Sequence, residues 1–297
     1  MESRKIKLTG KTTKHNYKKI AAIQMASGPQ VKANLMESAR LIREAAQKGA
    51  GMVVLPECFA LVAMQESENI EMAEEEGSGP IQDVIRQCAI DNKVWIVAGS
   101  IPLKSGSSDR AYAASLMFND SGEIVARYNK IHLFDVEIDC DLVDTGSNQT
   151  IKAKDIYKES DTFEAGKDIV VIDTPFGRVG MSICYDLRFP ILYREMVKQG
   201  AEIFLIPSAF TKTTGKIHWE PLIKARAIEN QCYVIAPAQG GYHVNGRHTY
   251  GNSMVVDFIG QVHGLRLKGT GIVTINIDLE AQKKVRKSFP VLQHIKL

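Results

Sequence analysis

No stretch of this 297-residue sequence approaches the roughly 18 consecutive apolar residues that a membrane-spanning helix needs. Cysteine is scarce and odd in number: Cys58, Cys88, Cys140, Cys184 and Cys232 include no Cys-x-x-Cys pair. Neither a disulfide framework nor a structural zinc site is indicated, and a reducing compartment suits five unpaired thiols. His132 and His218 lie far apart without zinc-ligand companions and read as hydrogen-bonding residues. There is no dinucleotide fingerprint and no P-loop, so nothing points to hydride or phosphoryl transfer. Lys and Arg are not interleaved with aromatics in any stripe through the body, which argues against a nucleic-acid partner.

Charge is uneven along the chain. Residues 1–19 hold seven basic residues against the single acid Glu2, whereas the whole chain is only +3, so the remainder is net acidic. With no apolar run before Ile20, this leader is not a secretory signal. It reads as a flexible basic tail or an organelle-targeting peptide. A cytoplasmic home is expected, with a mitochondrial one left open by the leader.

What is present describes a folded globule: 44% hydrophobic and 24% charged residues exclude a disordered polymer. Residues 20–25 suit a buried strand, residues 34–48 a helix ended by Gly49, and residues 52–55 a strand halted at Pro56. The same pattern returns later, GAGMVVLP at 49–56 being echoed by GAEIFLIP at 200–207. An internally repeated α/β architecture follows from it, although helix-turn-strand grammar alone can produce such an echo. Hairpins are expected at 112–128, 169–183 and 253–265, a helix at 218–229, and a final strand at 272–277. Together these describe mixed β-sheets meeting face to face with helices on their backs, as one domain over 20–297. The polar, weakly periodic segment 139–158 reads as a surface excursion, either a lid or a passive insertion.

Three residues stand where strands end. Cys184 follows an apolar strand and opens CYDLRFP, a strand-to-helix break that leaves backbone N–H groups free to meet a thiolate or a carbonyl oxygen. Most cysteines beside apolar strands are simply core residues. Glu57 shifts the balance, because a partly desolvated carboxylate can take a proton from a thiol and return it to a leaving amine. Lys130 can stabilise negative charge developing on a carbonyl oxygen, though a lysine at a strand end is more often a solvated surface residue.

Taken together, LPECF at 55–59, YNKIHLFD at 128–135 and CYDLRFP at 184–190, in that order, resemble the nitrilase or carbon-nitrogen hydrolase family. The likeness runs from Ile20 to Pro290. It implies a four-layer α-β-β-α sandwich, a homodimer or larger homo-oligomer, and neither metal nor organic cofactor. It also implies a Glu57–Lys130–Cys184 triad of base, oxyanion-stabilising cation and nucleophile. Glu159 is similar to a second family glutamate that orients the lysine, and the Tyr185 backbone N–H would complete the oxyanion site. Asp186 and Arg188 are expected to pair and pin the elbow, while Glu220, Arg226 and Glu229 brace the core and a subunit contact.

Within the family, PSAFTKTTGKIHW, QCYVIAPAQGG and YGNSMVVD are most similar to the deaminated glutathione amidase branch. That implies hydrolysis of a small 2-oxo-acid amide through a thioester, giving 2-oxoglutarate and cysteinylglycine. Omega-amidase action on 2-oxoglutaramate, another aliphatic amidase, an N-carbamyl hydrolase, a nitrilase and a non-catalytic scaffold are the competing readings. Asn252 where the branch commonly has His, Phe258–Ile259 in place of Pro-Trp, and the longer connection after Glu137 are departures near the site loops. Arg188, Lys212 and Arg247 are the candidate cations for a substrate carboxylate, by loop placement alone.

Overall fold

The computed structural model describes residues 18–144 and 149–296, with the backbone alone for 138–155. The first half runs β1 (Lys18–Gln24), α1 (Val31–Gln47), β2 (Ala50–Val54), α2 (Ser67–Glu71), α3 (Pro80–Asn92), β3 (Trp95–Val97), β4 (Ile101–Lys104), β5 (Ala111–Phe118) and β6 (Ile124–Asn129). Next come β7 (Asp135–Asp144) and β8 (Gln149–Lys158). The second half contains β9 (Val171–Thr174), β10 (Gly177–Met181), α4 (Pro190–Lys198), β11 (Ile203–Leu205), α5 (Lys212–Asn230) and β12 (Tyr233–Ala236). It closes with β13 (Gly240–Tyr242), β14 (His248–Tyr250), β15 (Ser253–Val256), β16 (Val262–Arg266), β17 (Gly271–Ile277) and α6 (Leu279–Ser288). None of the described helices is long and apolar enough to cross a membrane.

Two sheets carry the molecule. One orders its strands β17-β1-β2-β3-β5-β4 with β6 also paired to β5, and the other β16-β15-β12-β11-β10-β9. Three consecutive parallel strands form the middle of each, β1-β2-β3 in one and β10-β11-β12 in the other. Antiparallel neighbours flank both triplets, β17 and β5 in the first sheet, β9 and β15 in the second. The repeated octapeptide supplies the central parallel strand twice, as β2 and as β11. The sequence echo is therefore a topological repeat.

Parallel strands covered on both faces must be apolar at successive positions. Ile20, Ala22, Met52, Val54 and Val97 join the core between the sheets. Their neighbours Ala21, Ile23, Val53, Leu55 and Ile96 turn the other way, onto Leu35, Leu41 and Ile42 of α1 and Ile81 and Ile85 of α3. Across the molecule, α4 and α5 press Tyr193, Met196, Trp219 and Ile223 onto the second sheet. The result is the expected α-β-β-α sandwich. Each fully buried Leu or Ile contributes about 1.5–3 kcal/mol to it.

Two boundaries need revision, and the polar excursion takes a definite form. The segment 139–158 is regular: β7 and β8 form an antiparallel ribbon whose register sets Asp139 opposite Lys154 and Asp141 opposite Lys152. The joining residues 145–148 lie outside the described residues. Helix α5 begins at Lys212, well before residue 218, because Thr211 caps it by accepting from the Thr214 N–H and Gly215 permits close packing. A Cβ on Gly215 would lie 2.4 Å from Cβ of Tyr250. Finally, β1 includes Lys18 and Lys19, which were assigned to the leader, and Lys19 donates to the Lys48 carbonyl at 2.7 Å. The rest of the leader lies outside the described residues.

Gly99, after β3, holds φ +24°, and a Cβ there would approach the Pro56 carbonyl oxygen to 1.9 Å. Gly99→Ala is therefore expected to destabilise the fold by about 2 kcal/mol or more. Urea unfolding reads this directly, and an unchanged midpoint would contradict the packing described.

Candidate active site

Four strand ends converge. Glu57 lies just past β2, Lys130 directly follows β6, Glu159 follows β8, and Cys184 opens the 3₁₀ turn Cys184–Arg188 after β10. Lys130 is only 2% exposed and donates at 2.8 Å to Glu57 Oε1 and at 2.8 Å to each oxygen of Glu159. Glu159 also accepts from the Phe134 N–H at 2.6 Å, which fixes its orientation. The Cys184 thiol interacts with the Glu57 carboxylate and the Ala209 backbone. Glu57 thus interacts with both the thiol and the ammonium.

Burial alone would discharge Lys130, but Glu159 and Glu57 outweigh it and hold the lysine well above its ordinary pKa. Burial raises the Glu159 carboxyl, with Lys130 pulling the other way. The Cys184 thiol is pushed well above the usual cysteine range, first by burial and then by the Glu57 carboxylate, against the opposing pull of Lys130. The resting group is therefore a neutral thiol beside a charged lysine. Cys184 also sits at φ +48°, left-handed backbone that costs a non-glycine residue about 1–3 kcal/mol. The elbow is held by the Cys184 N–H donating to the Pro207 carbonyl at 2.8 Å.

The expected Asp186–Arg188 pair is not formed. Buried Asp186 instead accepts from Tyr128 Oη at 2.7 Å, the Ile183 N–H at 2.8 Å and the His132 N–H at 3.1 Å, and lies 2.7 Å from His132 Nδ1. This cluster fastens the Lys130 segment to the Cys184 elbow. Its side-chain members Tyr128, His132 and Asp186 lie within the quoted motifs, but their partnership spans more than fifty residues and leaves no local signal. Arg188 turns to His218 Nδ1 at 3.1 Å and lies over Phe210 and Tyr185. Arg226 braces the same elbow from α5, donating to the Leu187 carbonyl at 2.8 Å and to Glu229 at 2.9 Å. Glu220 does not share that role; it is an exposed partner of Lys224.

A cavity of about 420 Å³ opens onto the thiol, within the range that holds drug-sized ligands. Its lining brings together Glu57, Lys130, Glu159, Cys184, Tyr185, Arg188 and Arg247. Lys212 is not among them; it is exposed at the start of α5. Cys58, Phe210, Thr211 and Thr214 also line the cavity without having been singled out from sequence, as do Ile156, Tyr157 and Lys158 at the foot of the ribbon. The Cys58 thiol is pushed up to about 12, chiefly by burial. Among the described residues, no group of three His, Cys, Asp or Glu side chains is arranged to hold a metal ion.

A thiol within reach of a carboxylate, beside a buried cation, is equipped to attack an electrophilic carbon and move protons while doing so. The carbon-nitrogen hydrolase model matches residues 19–287, and the chain belongs to that family of enzymes. It is 41% identical over 279 residues to the deaminated glutathione amidase of Yersinia enterocolitica, covering 93% of this chain and 92% of that one. To the Homo sapiens enzyme of the same name it is 37% identical over 278 residues, covering 93% and 81%. Among solved structures, the Caenorhabditis elegans NitFhit protein superposes with a TM-score of 0.82 at 36% identity, covering 94% of this chain and 65% of that larger one. A Saccharomyces cerevisiae member of branch 10 of the nitrilase superfamily superposes with a TM-score of 0.79 at 29% identity, covering 92% and 94%.

Lys130→Ala would leave two carboxylates facing each other without their cation, at a cost of about 3–5 kcal/mol near pH 8. Uncompensated carboxyls bind protons more tightly folded than unfolded, so the variant's deficit should shrink as pH falls toward 5. Denaturation at the two pH values checks both size and sign. For the thiol, a raised pKa means that thiolate appears only at high pH. The thiolate absorbance lost in Cys184→Ala should develop above the ordinary cysteine range, and titration near pH 6 would refute the neutral-thiol state.

Proposed function

We propose that this enzyme is a cysteine-dependent amidase whose substrate is deaminated glutathione, cleaved to 2-oxoglutarate and cysteinylglycine. The observation that carries the chemistry is Glu57 interacting with both the Cys184 thiol and the Lys130 ammonium. Relatives named deaminated glutathione amidase, matching nearly the whole chain, support the substrate.

In the first half-reaction Sγ bonds to the amide carbon while the thiol proton passes to Glu57. Protonating Glu57 weakens its hold on Lys130, so the ammonium's field becomes available to the new oxyanion at the moment it forms. The Tyr185 N–H, in the first turn of a 3₁₀ segment, is the second donor. As the tetrahedral adduct collapses, the C–N bond breaks and Glu57 returns its proton to the leaving amine, leaving a thioester on Cys184. Water then gives a proton to Glu57 and its oxygen to the carbonyl carbon. The C–S bond breaks, the acid departs, and the thiol is restored. Glu159 keeps Lys130 charged and aimed throughout.

The acyl half carries a 2-oxo carboxylate, for which Arg188 is the cation beside the thiol. The start of α5, with Thr211 and Thr214 on the cavity wall, adds the favourable end of a helix dipole. A reducing, cytoplasmic compartment that preserves the Cys184 thiol belongs to the same reading. So does assembly as a homodimer or larger homo-oligomer, for which exposed Ile191 on α4 and Ile217 and Ile228 on α5 offer apolar surface.

The test compares purified protein on deaminated glutathione, 2-oxoglutaramate and simple aliphatic amides. Deaminated glutathione should show the highest kcat/KM, and preference for either alternative would overturn the substrate. Cys184→Ala should lose at least ~1,000-fold in kcat and the acyl adduct seen by intact-protein mass, while keeping its fold. Arg188→Gln should chiefly raise KM.

A further inference from the structure

Two arginines enter the cavity, and among the described residues neither forms an ion pair with a carboxylate. They reach it from different walls. Arg188 stands on the thiol side, on the Cys184 elbow, with Cys184 and Tyr185 as its electrostatic neighbours and Phe210 beneath its guanidinium at 5.1 Å. Arg247 comes from the turn between β13 and β14 and lies over the Tyr157 ring at 5.2 Å. Its electrostatic neighbours are Cys58, Glu66, Tyr157 and Glu57, so it belongs to the glutamate wall. The hairpin is tied to that wall, Asn245 Nδ2 donating to the Ala63 carbonyl at 2.7 Å. Burial costs the Arg247 guanidinium, and Cys58, Glu66, Tyr157 and Glu57 together more than restore it, so it stays charged. Glu66, one of those neighbours, is exposed and accepts from Asn69.

The walls differ in chemistry as well as position. After C–N cleavage the acyl half stays on Cys184, whereas the amine half leaves past the group that protonated it, Glu57. A cation on the glutamate wall therefore faces the departing amine, not the acyl chain. Lys130 is already neutralised by Glu57 and Glu159; among the described residues the other cations on the lining are Arg188, Arg247 and the exposed Lys158 at the foot of the ribbon, and of these Arg247 is the one largely buried on the glutamate side.

We propose that Arg247 binds a carboxylate on the leaving group, making the enzyme selective for dianionic amides with one carboxylate on each side of the scissile bond. This rests on the substrate read above, in which the leaving dipeptide ends in a glycine carboxylate. It identifies Arg247 as the residue that separates such a substrate from an amide releasing ammonia or a neutral amine.

The experiment uses the intact enzyme with deaminated glutathione and an analogue whose glycine carboxylate is a carboxamide. Wild type should favour the acid by at least about tenfold in kcat/KM. Arg247→Gln should bring the two within about twofold, mainly by raising KM for the acid, and Arg247→Lys should recover part of the preference. Arg188→Gln should lose ground on both while keeping the ratio between them. No preference in wild type, or a preference that survives in Arg247→Gln, overturns the assignment. Measuring 2-oxoglutaramate alongside separates the two ideas. If wild type hydrolyses it better than deaminated glutathione, the substrate reading fails, whereas the acid-to-carboxamide ratio judges Arg247 in either case.

Discussion

A single ammonium held between two carboxylates in a nearly dry site is the constraint around which this protein is organised. Three charges without solvent are tolerable only when each is closely paired, and Lys130 meets that condition with 2.8 Å contacts to Glu57 and to Glu159. In the proposed reaction a proton moves from sulfur to Glu57 as the oxyanion forms, so that step relocates charge without adding to it. A low-dielectric cavity is suited to such an exchange, because the protein need not solvate a new ion at the barrier.

That arrangement needs backbone supports that are unfavourable taken singly. Cys184 is held in left-handed backbone, and Gly99 is forced against Pro56 beside the glutamate. Asp186 is fully buried with its partners drawn from two distant segments. These costs are offset by the double-sided burial of the parallel strands, which supply rigid ends on which the reactive side chains can be placed.

The sandwich was legible because its strands are short apolar runs ended by proline or glycine, and the octapeptide echo marked the same strand in both sheets. Glu57, Lys130 and Cys184 were legible because each stands at a strand end inside a recognisable motif, and Glu159 through its likeness to a second family glutamate; the structure sets all four on one cavity. Partnerships set by tertiary structure were not. Asp186 seemed destined for Arg188 two positions away, yet its partners are Tyr128 on β6 of the other sheet and His132 just beyond that strand. The pairing of β7 with β8 escaped notice because it is a relation between two strands that neither shows alone. The first turn of α5, rich in Thr, Lys and Gly, has weak helix propensity and depends on the Thr211 cap and on Gly215 against Tyr250.

Glu57 and Lys130 leave strands of one sheet, while Cys184 leaves a strand of the other. The interaction of thiol with carboxylate therefore bridges the layers of the sandwich. Misplacing reacting groups by about 1 Å can cost ~100-fold in rate. Turnover is in this sense a ruler laid across the stack: pressure, a bound small molecule or a remote core substitution that slides one layer should show as lost rate while circular dichroism still reports an intact fold.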